Sequence, residues 1–148
     1  MDSHDIVTQW IAKSTDDLDN AKFLCENKWP RPLELVCYLC QQSGEKALKA
    51  YIIYNDEEPP YTHDLGMLFQ ICAKFTDRLT SIVNDSLRLT SYSSQTRYPN
   101  DVEIEEHETE FALKQAEIIL SLCTELIAPP LAEETDDATK TSNGNTER

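Results

Sequence analysis

Several side chains of types that do chemistry are grouped in one stretch of this chain. Residues 41 to 49 carry Gln41, Gln42, Glu45, Lys46 and Lys49. A lysine on a rigid helix, with glutamine amides beside it, can hold a phosphate or the edge of a nucleotide. Such a site needs partners from elsewhere, and the best supply is Tyr92 with Arg97, Tyr98 and Pro99. Arginine binds phosphate bidentately, tyrosine rings stack on bases, and proline fixes the loop that presents them. His63, beside Asp64 at a helix N-terminus, is a further candidate that competes with a capping or surface role. Cys37-x-x-Cys40 has metal-ligand spacing, but zinc needs two more ligands. The chain offers no second CxxC and no paired histidines, so core-filling thiols are the expectation.

A plainer reading of the 41–49 stretch stands beside the site. Placed at 100° per residue, Ser43, Gly44, Ala47, Ala50 and Tyr51 fall on one broad face, with Gln41, Gln42, Glu45, Lys46 and Lys49 opposite. The small residues let a neighbouring helix approach closely, which leaves the polar stripe open. Gln42 and Lys46 are one turn apart, as are Glu45 and Lys49. An exposed stripe with one i,i+4 ion pair therefore explains the same residues without a ligand.

The elements that must position these groups are helical. Val7, Trp10, Ile11, Ser14, Leu18, Ala21, Leu24 and Cys25 recur at threes and fours, predicting a helix over residues 4–28. Pro30 and Pro32 end it, and Pro32 suits the start of a second helix reaching Tyr54. After the proline-closed loop 55–60, Thr62 is the expected cap of a third helix whose apolar face is Leu65, Leu68, Phe69 and Cys72. Thr76 is the expected cap of a fourth, carried by Leu79, Ile82, Val83, Leu87 and Leu89 to about Tyr92. Residues 93–101 read as a loop, and a last helix over 103–127 presents Phe111, Ala112, Ala116, Ile119, Leu122, Cys123 and Leu126. The expected fold is all-α, an antiparallel up-and-down bundle of four to five helices. Beyond Pro129-Pro130 the sequence is polar and acidic, and a disordered tail is expected.

Composition narrows the function. A net charge of −14 excludes a broad basic surface for duplex DNA. Asp101, Glu103, Glu105, Glu106, Glu108 and Glu110, with no lysine or arginine among them, form either a solvated helix start or a docking face for a basic partner. Five cysteines without secretory context predict reduced thiols. With no membrane-length apolar run and no leader-like start, a soluble cytoplasmic protein is expected.

The run Cys37-Tyr-Leu-Cys-Gln-Gln-Ser-Gly-Glu-Lys-Ala-Leu-Lys-Ala-Tyr51, then Pro60-Tyr-Thr-His-Asp-Leu65, then Tyr92 and Arg97-Tyr-Pro99, resembles the HEPN domain (higher eukaryotes and prokaryotes nucleotide-binding). Ala12, Asp17, Leu18 and Ala21 fit the same pattern. On this resemblance residues 1–128 form a HEPN-like bundle and 129–148 a separate acidic tail. The resemblance implies a homodimer, with a nucleotide as ligand or a minimal nucleotidyltransferase as partner protein. Ribonuclease toxins of the family carry an Arg and a His separated by four to six residues, as expected of metal-free RNA cleavage. Here Arg97 is followed at those places by Val102, Glu103 and Ile104, and His107 lies further on. Leu39 stands where many relatives have histidine. The expectation is a non-catalytic binding module with no cofactor, its ligand-binding residues Gln42, Lys46, Lys49, His63, Tyr92, Arg97 and Tyr98. The alternatives are an RNase toxin of a toxin-antitoxin pair using Arg97 with His107 or Tyr98, and a structural dimerisation or adaptor protein.

Overall fold

The computed structural model describes residues 2–94 and 103–127. All regular structure among them is helical. α1 spans Ser3–Asn27, α2 Leu33–Tyr54, α3 Leu65–Cys72, α4 Val83–Ser86 and α5 Glu106–Ile127. Of the expected loop at 93–101, residues 95–101, including Arg97 and Tyr98, lie outside the described residues, as does the expected tail at 129–148.

α1 begins where the Asp2 carboxylate accepts from the backbone N–H of Asp5 at 2.9 Å, occupying a donor that the first turn leaves free. At its other end the Arg31 Nε donates to the Cys25 carbonyl at 2.8 Å, while the Arg31 guanidinium lies 4.2 Å from the centre of the Trp29 ring. Pro32 then caps α2, whose fixed φ suits the turn into a helix. α2 is the axis of the molecule. Nearly every residue from Val36 to Ile52 is buried, because α1 and α5 both pack along it.

Pairings along the helices fix their directions. Ser14 of α1 donates to the Ser43 carbonyl of α2 at 2.7 Å, and Lys22 of α1 pairs with Glu117 of α5. Arg31, just past α1, reaches Glu106 at the start of α5, so α1 runs antiparallel to α5. Cys37 meets Thr109, and Gly44 faces Ile119, so α2 and α5 run alongside each other in the same direction. This is possible because the chain doubles back after α2. The helix ends with Glu57 N–H on the Ile52 carbonyl and Asp56 N–H on the Ile53 carbonyl, and Asp56 takes the left-handed φ of 62° that this closure requires. The extended segment then returns along α2 to His63.

Two expected caps are corrected. Asp64, not Thr62, caps α3, its carboxylate accepting from Gly66 N–H at 2.9 Å; Thr62 Oγ1 accepts from Asp64 N–H instead and shapes the turn before it. Thr76 Oγ1 accepts from Arg78 N–H, but no continuous fourth helix follows. The run to Tyr92 is a 3-10 turn over Thr80–Ile82, then α4, then a 3-10 helix over Leu87–Tyr92. Ser86, Leu89 and Tyr92 are its buried positions, and inward residues every third place suit the three-residue turn of a 3-10 helix better than an α-helix. Leu87, expected on the apolar face, is 38% exposed.

Candidate functional site: a buried polar network on α2

The stripe expected to lie open on α2 is closed over. Gln41, Gln42, Glu45 and Lys49 are all buried, and Lys46 is half-buried. The 100° projection left this side of the helix vacant, whereas α1 reaches it at Lys46 and the returning 55–64 segment reaches it at Gln41 and Glu45. Burial of such groups costs several kcal/mol unless each finds partners, of order 1–3 kcal/mol for a neutral donor or acceptor and more for a charge. Among the described residues every buried side-chain nitrogen and oxygen has one.

Glu45 is the hub. Its Oε2 accepts from Lys49 Nζ at 3.1 Å, and its Oε1 is 2.8 Å from His63 Nδ1 and 3.3 Å from Gln41 Nε2. Gln41, Glu45 and Lys49 sit at i, i+4 and i+8, so one face of α2 supplies three members without any help from the fold. The fourth member, His63, comes from the returning segment, and Gln41 Nε2 also donates to the His63 carbonyl at 3.0 Å. Both the ring and the backbone of His63 are therefore held, while its side chain remains 64% exposed. Gln42 Nε2 donates to Gln41 Oε1 at 2.7 Å, extending the chain of amides.

Lys46 takes no part in this. Its ammonium crosses to Asp17 of α1 at 2.6 Å. The i,i+4 relation of Gln42 and Lys46 thus carries no hydrogen bond, whereas that of Glu45 and Lys49 does. Trp10 of α1, which is not among the expected site residues, stands beside the two lysines: its ring centre is 5.9 Å from Lys49 Nζ, and it lines a cleft with Gln9, Lys13 and Lys46. Its signal in the sequence was only its place on the apolar face of α1, where an aromatic residue is ordinarily core.

Tyr92 is not beside these groups. It is buried, and its hydroxyl donates to Glu108 Oε1 on α5 at 2.9 Å. Burial, then this hydrogen bond to a carboxylate, raises the Tyr92 phenol well above its ordinary range. Glu108 is lowered, chiefly because its other oxygen accepts from the Glu105 backbone N–H at 2.9 Å. Part of the acidic segment is therefore a helix start that holds itself. The structure brings Gln42, Lys49 and His63 into one network, sends Lys46 to a different partner, and puts Tyr92 in the core between the Leu87–Tyr92 turn and α5. Arg97 and Tyr98 lie outside the described residues.

The CxxC cysteines are core. Cys37 and Cys40 are both fully buried, and burial pushes the Cys40 thiol far up. No group of three or more metal-ligating side chains occurs within reach of one ion among the described residues. No helix among them is long and apolar enough to cross a membrane.

Comparison with known proteins matches this architecture to a family. The chain is similar to the crystal structure of an archaeal HEPN homologue at 23% identity and a TM-score of 0.63, covering 82% of this chain and 97% of that one. It is also similar to the crystal structure of a Thermus thermophilus protein at 23% identity and a TM-score of 0.61, covering 80% of this chain and 96% of that one. No curated protein sequence matches it. The HEPN domain model matches residues 7–126, from the first buried turn of α1 to the end of α5. The chain belongs to the HEPN domain family.

Proposed function

We propose that this chain is a non-catalytic HEPN-type module that acts as a homodimer in the cytoplasm and binds a nucleotide or pairs with a minimal nucleotidyltransferase. The sequence after Arg97 carries the non-catalytic part, and the saturation of Glu45 removes a buried carboxylate as a general base. A general base must be free to take a proton from substrate. The Glu45 carboxylate is 4% exposed and already accepts from Lys49, His63 and Gln41, so it serves as an internal clamp. The sequence after Arg97 has Val102, Glu103 and Ile104 where a histidine would complete an Arg–His pair.

The binding part rests on the basic cleft of about 330 Å³ lined by Gln9, Trp10, Lys13 and Lys46. Trp10 offers a face for a base and Lys13 an ammonium for a phosphate, the Lys46 ammonium being paired with Asp17. Arg97 and Tyr98 stay in the proposed ligand set on their side-chain chemistry alone. Calorimetric titration with nucleotides, checked by amide shifts, tests the reading. Saturable binding weakened by Lys13→Gln and by Arg97→Ala is expected; no saturation with any nucleotide removes the nucleotide from the proposal. Size-exclusion chromatography with light scattering reads the dimer, and co-purification with a co-expressed neighbouring nucleotidyltransferase reads the partner.

A further inference from the structure

A second cleft lies on the other side of Trp10, with the opposite electrostatic character. It encloses about 440 Å³ between the first turns of α1 and the 56–61 segment. Ile6, Trp10, Ile53, Pro59, Pro60 and Tyr61 form its walls, and Tyr61 is fully exposed. An aromatic ring left wholly in water beside an apolar cleft contributes little to the fold, and the two prolines before it restrict the backbone that presents it. Three carboxylates stand at the mouth: Asp56, Glu57 and Glu58. Glu57 is paired with Lys74, whereas Asp56 and Glu58 enter no ion pair among the described residues.

Among the described residues, the one cation lining this cleft is Lys49, and it is already paired. Lys49 is 8% exposed and its ammonium is bound to Glu45 at 3.1 Å, so the floor presents a closed ion pair. The Asp56 and Glu58 charges are therefore left unpaired among the described residues, and they repel phosphates and carboxylates while attracting cations. The chemistry that fits is a slender ligand with an apolar spine and positive ends. Methylene groups bury against Ile6, Ile53 and the prolines, ammonium groups sit at Asp56 and Glu58, and the Tyr61 and Trp10 rings add cation–π attraction. A volume of about 440 Å³ is in the range of small-molecule sites.

We infer that this cleft is a binding site for a free aliphatic polyamine or diamine, held by the Asp56 and Glu58 carboxylates against the Trp10–Tyr61 walls. This ligand is opposite in charge to the nucleotide proposed for the Lys13–Lys46 side, so either assignment can fail without the other. The two sites share only Trp10.

Spermidine is the probe, titrated into the full chain carrying Trp29→Phe so that Trp10 is the sole tryptophan reporter, with calorimetry as the second readout. Saturable one-site binding is expected. The isosteric pair Asp56→Asn/Glu58→Gln should weaken it by about tenfold or more, two charge-assisted contacts being lost. Asp19→Asn/Glu26→Gln, the same charge change on exposed positions of α1, should alter it by less than about twofold at physiological salt, where distant charges are screened. Absence of saturation overturns the assignment, and so does equal weakening by both pairs, which would mean general attraction to an acidic protein. Tighter binding of N-acetylarginine amide than of spermidine also overturns it, because the cleft would then be built for a protein side chain.

Discussion

Glu45 Oε1 and His63 Nδ1 are 2.8 Å apart, although α2 places one of them inside the molecule and the other is on its surface. The contact ties the returning 55–64 segment to the central helix. Its other oxygen holds Lys49, so a single buried carboxylate joins α2 to the loop and fixes the floor of the acidic cleft.

Removing the charge of Glu45 should therefore cost far more than removing the imidazole. Glu45→Gln leaves the Lys49 ammonium buried without its counter-ion, and a loss of roughly 3 kcal/mol is expected. His63→Ala removes one contact to a side chain that water reaches, for a loss of about 1 kcal/mol. Urea unfolding with a common m-value reads both. A smaller effect for Glu45→Gln than for His63→Ala would contradict the hub role.

Gly44 makes room for one particular methyl group. A Cβ built there comes 3.0 Å from Ile119 Cδ1. Gly44→Ala gains about 1 kcal/mol of helix propensity and loses about 1–3 kcal/mol to overpacking, so a net loss is expected. Ile119→Val deletes the methyl in question. In the double variant the two effects should offset, with a coupling of about 1 kcal/mol in a double-mutant cycle. Simple additivity would show that the helices separate to absorb the methyl.

The Tyr92–Glu108 pair predicts part of the acid limb of stability. The Glu108 carboxyl is held below its ordinary value by the Glu105 N–H, then by the Tyr92 hydroxyl. A depressed folded-state pKa means that the unfolded chain binds the proton first. The contribution is complete above the unfolded value of about 4.3 and disappears as pH falls through the lower folded value. Glu108→Gln should lower stability at neutral pH and flatten the fall between pH 5 and the acid end. Parallel curves for the two proteins in thermal melts across pH would refute the coupling.

Thiol accessibility separates the five cysteines. Cys37, Cys40, Cys72 and Cys123 are buried and Cys25 is half-buried. Burial pushes the Cys72 thiol up to about 12 and raises Cys40 and Cys123 further. A neutral disulfide reagent at pH 8 should modify Cys25 first, and the other four only at the rate of unfolding. Rapid modification of Cys37 and Cys40 in the folded protein would put the CxxC at an accessible surface.

The sequence by itself determined the helices that carry their own periodicity. α1, α2 and α5 were legible because apolar residues recur every three or four places and prolines mark their ends. The close approach at Ser43 and Gly44 was legible from side-chain size, and the Glu45–Lys49 pair from spacing alone, since one helix fixes both positions. The family was legible from motifs in α2, in the 60–65 segment and after Tyr92.

Only the tertiary structure decided what those residues face. A helical projection gives the side of α2 on which Gln41, Gln42 and Glu45 lie, but not whether anything covers that side. Coverage comes from α1 and from a returning segment whose path has no periodic signal. The same holds for Lys46, whose neighbour Asp17 is 29 residues away, and for Tyr92, whose partner Glu108 is on another helix. The run before Tyr92 divides into 3-10 and α turns, and its inner face meets α2 and α3 as well as Gln115 of α5. Local sequence fixes hydrogen bonds within a helix, whereas burial and ion pairing between elements depend on which surfaces meet, a property of the packed chain as a whole.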